Sequence, residues 1–90
     1  MQENTILWDE RTKENFRKIL AKIPIFLRSM AEKKVSEKAF SLVQQGNRTV
    51  IGEKDLVDAF FIETPFGFHG PLKVDMEELQ IDYTQYGYPK

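Results

Sequence analysis

Pro24 stands between two helical hydrophobic patterns, in the run Ile23-Pro24-Ile25-Phe26-Leu27-Arg28, and it limits what the chain can become. Proline disfavours helical geometry at the residue ahead of it and has no N–H to donate. The pattern ending near Ile23 must therefore break or bend, and a second helix can begin with Pro24 at its first position. The junction predicts a helical hairpin or bent pair.

A first helix is expected from about Asp9 to Lys22. Asp9 is a good N-cap, and Glu10 adds a carboxylate where the helix dipole favours it. Phe16, Ile19, Leu20 and Ile23 recur at three- and four-residue spacing, and charged residues fill the other faces. The second helix should run from Pro24 to about Gln45, with Leu27, Met30 or Ala31, Val35, Ala39, Leu42 and Val43 buried. Gly46 is read as its left-handed terminator. Thr49-Val50-Ile51 reads as a short β-branched extended stretch. Gly52, Glu53 and Asp55 then open a third helix carrying Leu56, Val57, Ala59, Phe60 and Phe61, which Thr64-Pro65 stops. Phe26 and Leu27 are also assigned to the core, with Trp8.

From Glu63 onward the composition changes. The run Pro65-Phe66-Gly67-Phe68-His69-Gly70-Pro71 rules out a long regular element across residues 65–71. Beyond it, Met76 to Leu79 suits a helical turn, and Leu79 to Tyr83 alternates as a strand would. The expected fold is thus mostly α: a three-helix domain over residues 1–64 with an extended segment before the third helix, followed by a partly ordered, aromatic and acidic tail at 65–90.

Ninety residues make one domain. The formal net charge of −1 is not the basic balance that makes nucleic-acid binding a default. Residues 1–62 hold eleven Lys/Arg against nine Asp/Glu, whereas 63–90 hold two against five. The sequence has no cysteine, so it offers no disulfide, thiolate ligand or thiol nucleophile. The first residues lack a basic segment followed by an apolar run, and the apolar stretches fall short of a bilayer span. A cytoplasmic chain without a transmembrane segment is expected.

No catalytic constellation stands out, and no cofactor or metal is expected. His69 is the only histidine and has no cysteine or spaced second histidine to close a metal site. A structural or solvent-exposed role outweighs that of a general base. Asp75, Glu77, Glu78 and Asp82 lack the spacing of a calcium loop and read as a solvated acidic face. Arg28, one turn into the second helix, is read as the cation of a structural ion pair with Asp55 or Asp58. Lys33, Lys34, Lys38 and Arg48 form a basic stripe that Glu32 and Glu37 interrupt. Phe66, Phe68, Tyr83, Tyr86 and Tyr88 place many aromatics outside the helical core, where they either extend that core or, with His69, anchor another protein.

Trp8, the Ile23-to-Arg28 junction, Ala31, Val35 and Ala39 on the long helix, and Val50 followed by Asp55-Leu56-Val57-Asp58-Ala59 resemble the small C-terminal domain of the light-independent protochlorophyllide reductase B subunit. The resemblance covers roughly residues 8–62. Ile25 stands where that family usually has an aromatic, and Gly52 where a threonine or serine cap is common. The parent family is a multi-subunit oxidoreductase of chlorophyll biosynthesis. Its cluster- and substrate-binding body has no counterpart here, so the resemblance implies a non-catalytic accessory or protein-interaction domain. Residues 34–62 are also similar to the latter half of a histone fold, which would nominate Arg48 and Thr49, with Lys33, Lys34 and Lys38, as phosphate contacts. Near-neutral charge and the acidic tail weigh against that alternative.

Overall fold

The computed structural model describes residues 5–90, in which short β1 (Leu7–Trp8) leads into α1 (Glu10–Ala21), α2 (Ile25–Gln45), β2 (Val50–Ile51) and α3 (Glu53–Glu63). A 3-10 turn at Phe66–Phe68 then opens α4 (His69–Glu78), and a second such turn spans Tyr83–Tyr86. The described residues thus hold four helices rather than the three expected from sequence. The two strands pair in parallel, Leu7 opposite Val50 and Trp8 opposite Ile51, so the anticipated extended stretch has its partner ahead of α1.

Local chemistry explains the boundaries. The Asp9 carboxylate accepts from the Thr12 N–H at 3.0 Å and the Thr12 hydroxyl at 2.8 Å, satisfying a donor that the first turn of α1 leaves free. Pro24 sits at the N-cap of α2 with an extended ψ of 140°, so it stands just ahead of the first helical position expected for it and α2 begins at Ile25. The expected terminator of α2 is displaced by one residue: Gly46 has φ −88°, and Asn47 takes the left-handed conformation at φ 57°. Arg48 N–H then reaches back to the Val43 carbonyl at 3.0 Å, and Asn47 N–H to Gln44 at 3.0 Å, which closes a Schellman motif. Gly46 serves a different need, since a Cβ there would lie 3.1 Å from Arg48 Nε.

Val35, Ala39 and Val43 form the buried stripe of α2, packed most extensively on α3, where Leu56, Val57, Ala59, Phe60 and Phe61 are buried. Trp8 stacks on Phe16 at 5.1 Å, and Phe16 meets Phe60 edge-on at 5.8 Å. The expectation that Phe26, Leu27 and Met30 join this core is overturned: they are 80%, 38% and 53% exposed. Helix phase gives the reason. Phe26 lies nine residues ahead of Val35, which at about 100° per residue sets it roughly 180° from the buried stripe.

Residues 65–90, expected as a partly ordered tail, are built into the core. Leu72 and Met76 of α4 are buried, as are Ile81 and Tyr83 beyond it. Proline at 71 does not prevent the helix because it falls within the first turn, where backbone N–H groups have no intrahelical acceptor. Gln80 ends α4 with φ 61°, and Ile81 N–H bonds the Met76 carbonyl at 2.9 Å, so Leu79 to Ile81 forms the helix terminus and Tyr83 opens the second 3-10 turn, leaving no strand there. Among the described residues, no helix is long and apolar enough to cross a membrane.

Candidate functional site

The residues expected to carry chemistry are mostly engaged in holding the fold. Arg28 does not reach Asp55 or Asp58. Its Nε donates to the Leu20 carbonyl at 2.9 Å, and its Nη2 to Ile23 at 3.0 Å and Ala21 at 3.3 Å. These are carbonyls at and just past the C-terminal end of α1, where the negative end of its dipole lies, and that of Leu20 also accepts from the Ile23 N–H at 3.0 Å. The guanidinium therefore clamps α2 to α1 across the Pro24 bend, using acceptors only a few residues away.

The two aspartates have other partners. Arg48 forks onto Asp55, Nη2 to Oδ1 at 2.7 Å and Nη1 to Oδ2 at 3.1 Å, while Asp55 also accepts from the Gly52 N–H at 2.9 Å. Burial works to raise the Asp55 carboxyl, but the Arg48 guanidinium and the Gly52 N–H outweigh it and hold the group below its ordinary value. Arg48, nominated as a phosphate contact, thus joins the end of α2 to the start of α3. Thr49, nominated with it, gives its carbonyl to the Leu7 N–H at 2.9 Å. Lys33 and Lys34 are exposed and Lys38 is half-buried. Asp58 receives Lys54 Nζ at 2.8 Å and the Tyr88 hydroxyl.

His69 also has a structural place. Its Nε2 lies 3.1 Å from the Phe61 carbonyl and 2.9 Å from that of Thr64, so this nitrogen carries a proton and caps the end of α3. The ring stands edge-on to Phe61 at 5.0 Å. Tyr83, Tyr86 and Tyr88 donate to Glu77, Glu53 and Asp58, so these three interaction candidates fasten the C-terminal segment onto α3 and α4. The hydrogen bond to Glu77, aided by burial, pushes the Tyr83 hydroxyl up to about 12. Burial, aided by Glu53, does the same for Tyr86, and burial with Asp58 raises Tyr88 further. No cluster of potential metal ligands occurs among the described residues.

Phe66 and Phe68 differ from the tyrosines, being 86% and 64% exposed. Phe68 lines an apolar groove with two adjoining lobes, and Phe66 stands exposed two residues ahead of it in the same 3-10 turn. One lobe, about 300 Å³, lies between the first turns of α2 and the end of α3, with Leu27, Met30, Phe60 and Phe68 in its wall. The other, about 380 Å³, extends toward α4 and shares Ile23, Leu27, Phe60 and Phe68. Lys34 and Glu63 stand at the first lobe, Lys22 and Asp75 at the second. The groove follows from the Pro24 junction: the bend starts α2 with an apolar turn, and the remote helix phase leaves part of that turn uncovered. The signal was present in the sequence, because Leu27 and Met30 lie in the first apolar turns of α2 and off the Val35-Ala39-Val43 stripe.

The architecture is that of a small helical domain whose polar and ionic groups serve the fold and whose apolar groove faces solvent. The chain belongs to the family described as Protein of unknown function (DUF2621), whose sequence profile matches residues 1–88. No curated protein and no solved structure matches the chain.

Proposed function

We propose that this domain is a non-catalytic protein-interaction or accessory module, and that its working surface is the groove walled by Leu27, Met30, Phe60 and Phe68, with the exposed Phe26 and Phe66 on the adjoining turns. The observation that carries the reading is an open apolar groove walled by Leu27, Met30 and Phe68, all of them solvent-exposed, with Phe26 and Phe66 exposed on the adjoining turns. Large apolar side chains left in water cost solvation free energy, and a contiguous set of them marks an interaction surface. Aromatic anchors that enter pockets dominate binding energy at protein interfaces. The resemblance to the small domain appended to a protochlorophyllide reductase subunit supports the same reading, since that domain accompanies a multi-subunit assembly.

The test is direct titration of a purified candidate partner, found by affinity capture, against the wild-type chain and a Phe26→Asp, Phe68→Asp double variant. Binding should be retained by the wild type and lost in the folded double variant. Equal binding by both moves the surface elsewhere. Tight, salt-sensitive binding of duplex DNA that disappears in Arg48→Ala would instead favour the nucleic-acid reading.

A further inference from the structure

We infer that the occupant of the groove is a second copy of this chain, related by a two-fold axis, with the protruding phenylalanines of each copy entering the groove of the other. The inference rests on the interaction reading above and names its partner.

Three features point to the same occupant. The first is area. Phe26, Leu27, Met30, Phe66 and Phe68 together expose roughly 600 Å², taking about 200 Å² for each large side chain. A stable interface of standard size buries about 800 Å² per partner, about three-fifths of it apolar. The patch therefore supplies the apolar part of such an interface, and its polar rim supplies the rest.

The second is shape. A two-fold interface is isologous, so one surface must present both projections and matching recesses. Phe26 and Phe66, at 80% and 86% exposure and outside the lining of both lobes, are the projections, and the lobes of about 300 and 380 Å³ between Leu27, Phe60 and Phe68 are the recesses. An apolar cavity of about 150 Å³ already accommodates benzene, so each lobe has room for a phenyl ring.

The third is charge. Each lobe has one cation and one anion at its edge, Lys34 with Glu63 and Lys22 with Asp75, although Lys22 is already paired with Glu78 of its own chain, which leaves Lys34 and Glu63 as the exchangeable pair. A balanced rim is complementary to itself when rotated, because Lys34 of one copy can face Glu63 of the other. An anionic lipid surface would call for a basic surplus beside the aromatics, which this rim does not have. With a net charge of −1, two copies also repel each other weakly.

The experiment is sedimentation equilibrium of the full chain from about 1 to about 200 μM, with Phe26→Asp, Phe66→Asp and the control Val74→Asp measured beside it. All three positions are exposed, so the variants should fold, as far-ultraviolet circular dichroism would verify. The wild type and Val74→Asp should reach the mass of a dimer. Each phenylalanine variant should weaken association by at least about tenfold. A wild type that stays monomeric across the range overturns the inference, as does a dimer indifferent to both phenylalanine changes or equally disrupted by Val74→Asp. A monomer that still binds a different protein through Phe26 and Phe68 would overturn self-association alone and leave the interaction reading standing. Binding to vesicles of anionic phospholipid by a monomer, lost in Phe26→Asp, would assign the face to lipid instead.

Discussion

The Tyr88 ring lies flat on Phe61, centroids 4.1 Å apart and planes 10° from parallel, while its hydroxyl donates to Asp58 on the same helix. One residue near the C-terminus thus both packs on α3 and bonds to it. Tyr88→Phe should keep the stack and cost about 0.5–1.5 kcal/mol, the net worth of a hydrogen bond. Tyr88→Ala loses both and should cost about 2–3 kcal/mol, since the residue is only partly buried. Urea denaturation of the two variants separates the contributions. Equal loss would show that the ring contributes nothing beyond its hydroxyl.

Arg48 and Asp55 predict the acid behaviour. The folded Asp55 carboxyl lies below its ordinary value, so the stabilisation it supplies is present above an unfolded pKa of about 3.9 and is lost as pH falls through the folded value. Asp55→Asn removes that dependence. The urea midpoint of the wild type should fall more steeply than that of Asp55→Asn below pH of about 4. Parallel slopes would mean that the pair is indifferent to protonation. Arg48→Ala leaves a buried carboxylate with only the Gly52 N–H as donor and should lower the urea midpoint at neutral pH, by less than a fully buried pair would because half of the Arg48 side chain is exposed.

Arg28 makes a separable prediction. Arg28→Ala strips a donor from the Leu20, Ala21 and Ile23 carbonyls, of which Leu20's keeps the Ile23 N–H, and should cost about 1–3 kcal/mol, with Arg28→Lys recovering only part because an ammonium cannot fork across them. Arg28 and Asp55 have no shared partner. Their double variant should therefore be additive within about 0.5 kcal/mol, whereas Arg48 and Asp55 should couple strongly. Thermal denaturation of the two cycles checks both statements, and strong coupling between Arg28 and Asp55 would restore the ion pair that the sequence suggested.

The sequence made the helical framework legible where one local rule acts alone. Asp9, Pro24, Gly52 and Thr64-Pro65 mark boundaries through capping or missing N–H groups, and they fall within about a residue of the observed ones. Misreadings arose where two rules compete. Gly70-Pro71 reads as a breaker, yet it sits in a first turn that tolerates both, and Leu72, Met76 and Leu79 at four- and three-residue spacing carry the helix onward. Phe26 reads as core by type, and only the phase of Val35, Ala39 and Val43 reveals that it faces away. Arg28 reads as the cation of an ion pair with Asp55 or Asp58, but its acceptors are backbone carbonyls, which sequence does not display. The groove was legible only through its aromatics, because its walls come from segments more than thirty positions apart, Leu27 and Phe60 among them.

Alkaline titration tests the C-terminal fastening as a unit, because the three tyrosines of the sequence are Tyr83, Tyr86 and Tyr88. Each hydroxyl donates to a carboxylate, and an ionised phenolate in its place would lose the hydrogen bond and face a like charge. Their folded pKa values are raised, to about 12 for Tyr83 and Tyr86 and further for Tyr88. A group with a raised folded pKa stabilises the fold fully below its unfolded value, about 10 for tyrosine, and loses that contribution as pH rises through the folded value. Stability should therefore hold to about pH 10 and then fall, with tyrosinate absorbance appearing together with loss of helical circular dichroism. Tyr83→Phe, which cannot ionise, should flatten the alkaline limb while lowering stability at neutral pH. Reversible titration of all three tyrosines near pH of about 10 with the helices intact would show that the segment after α4 is not fastened by these bonds.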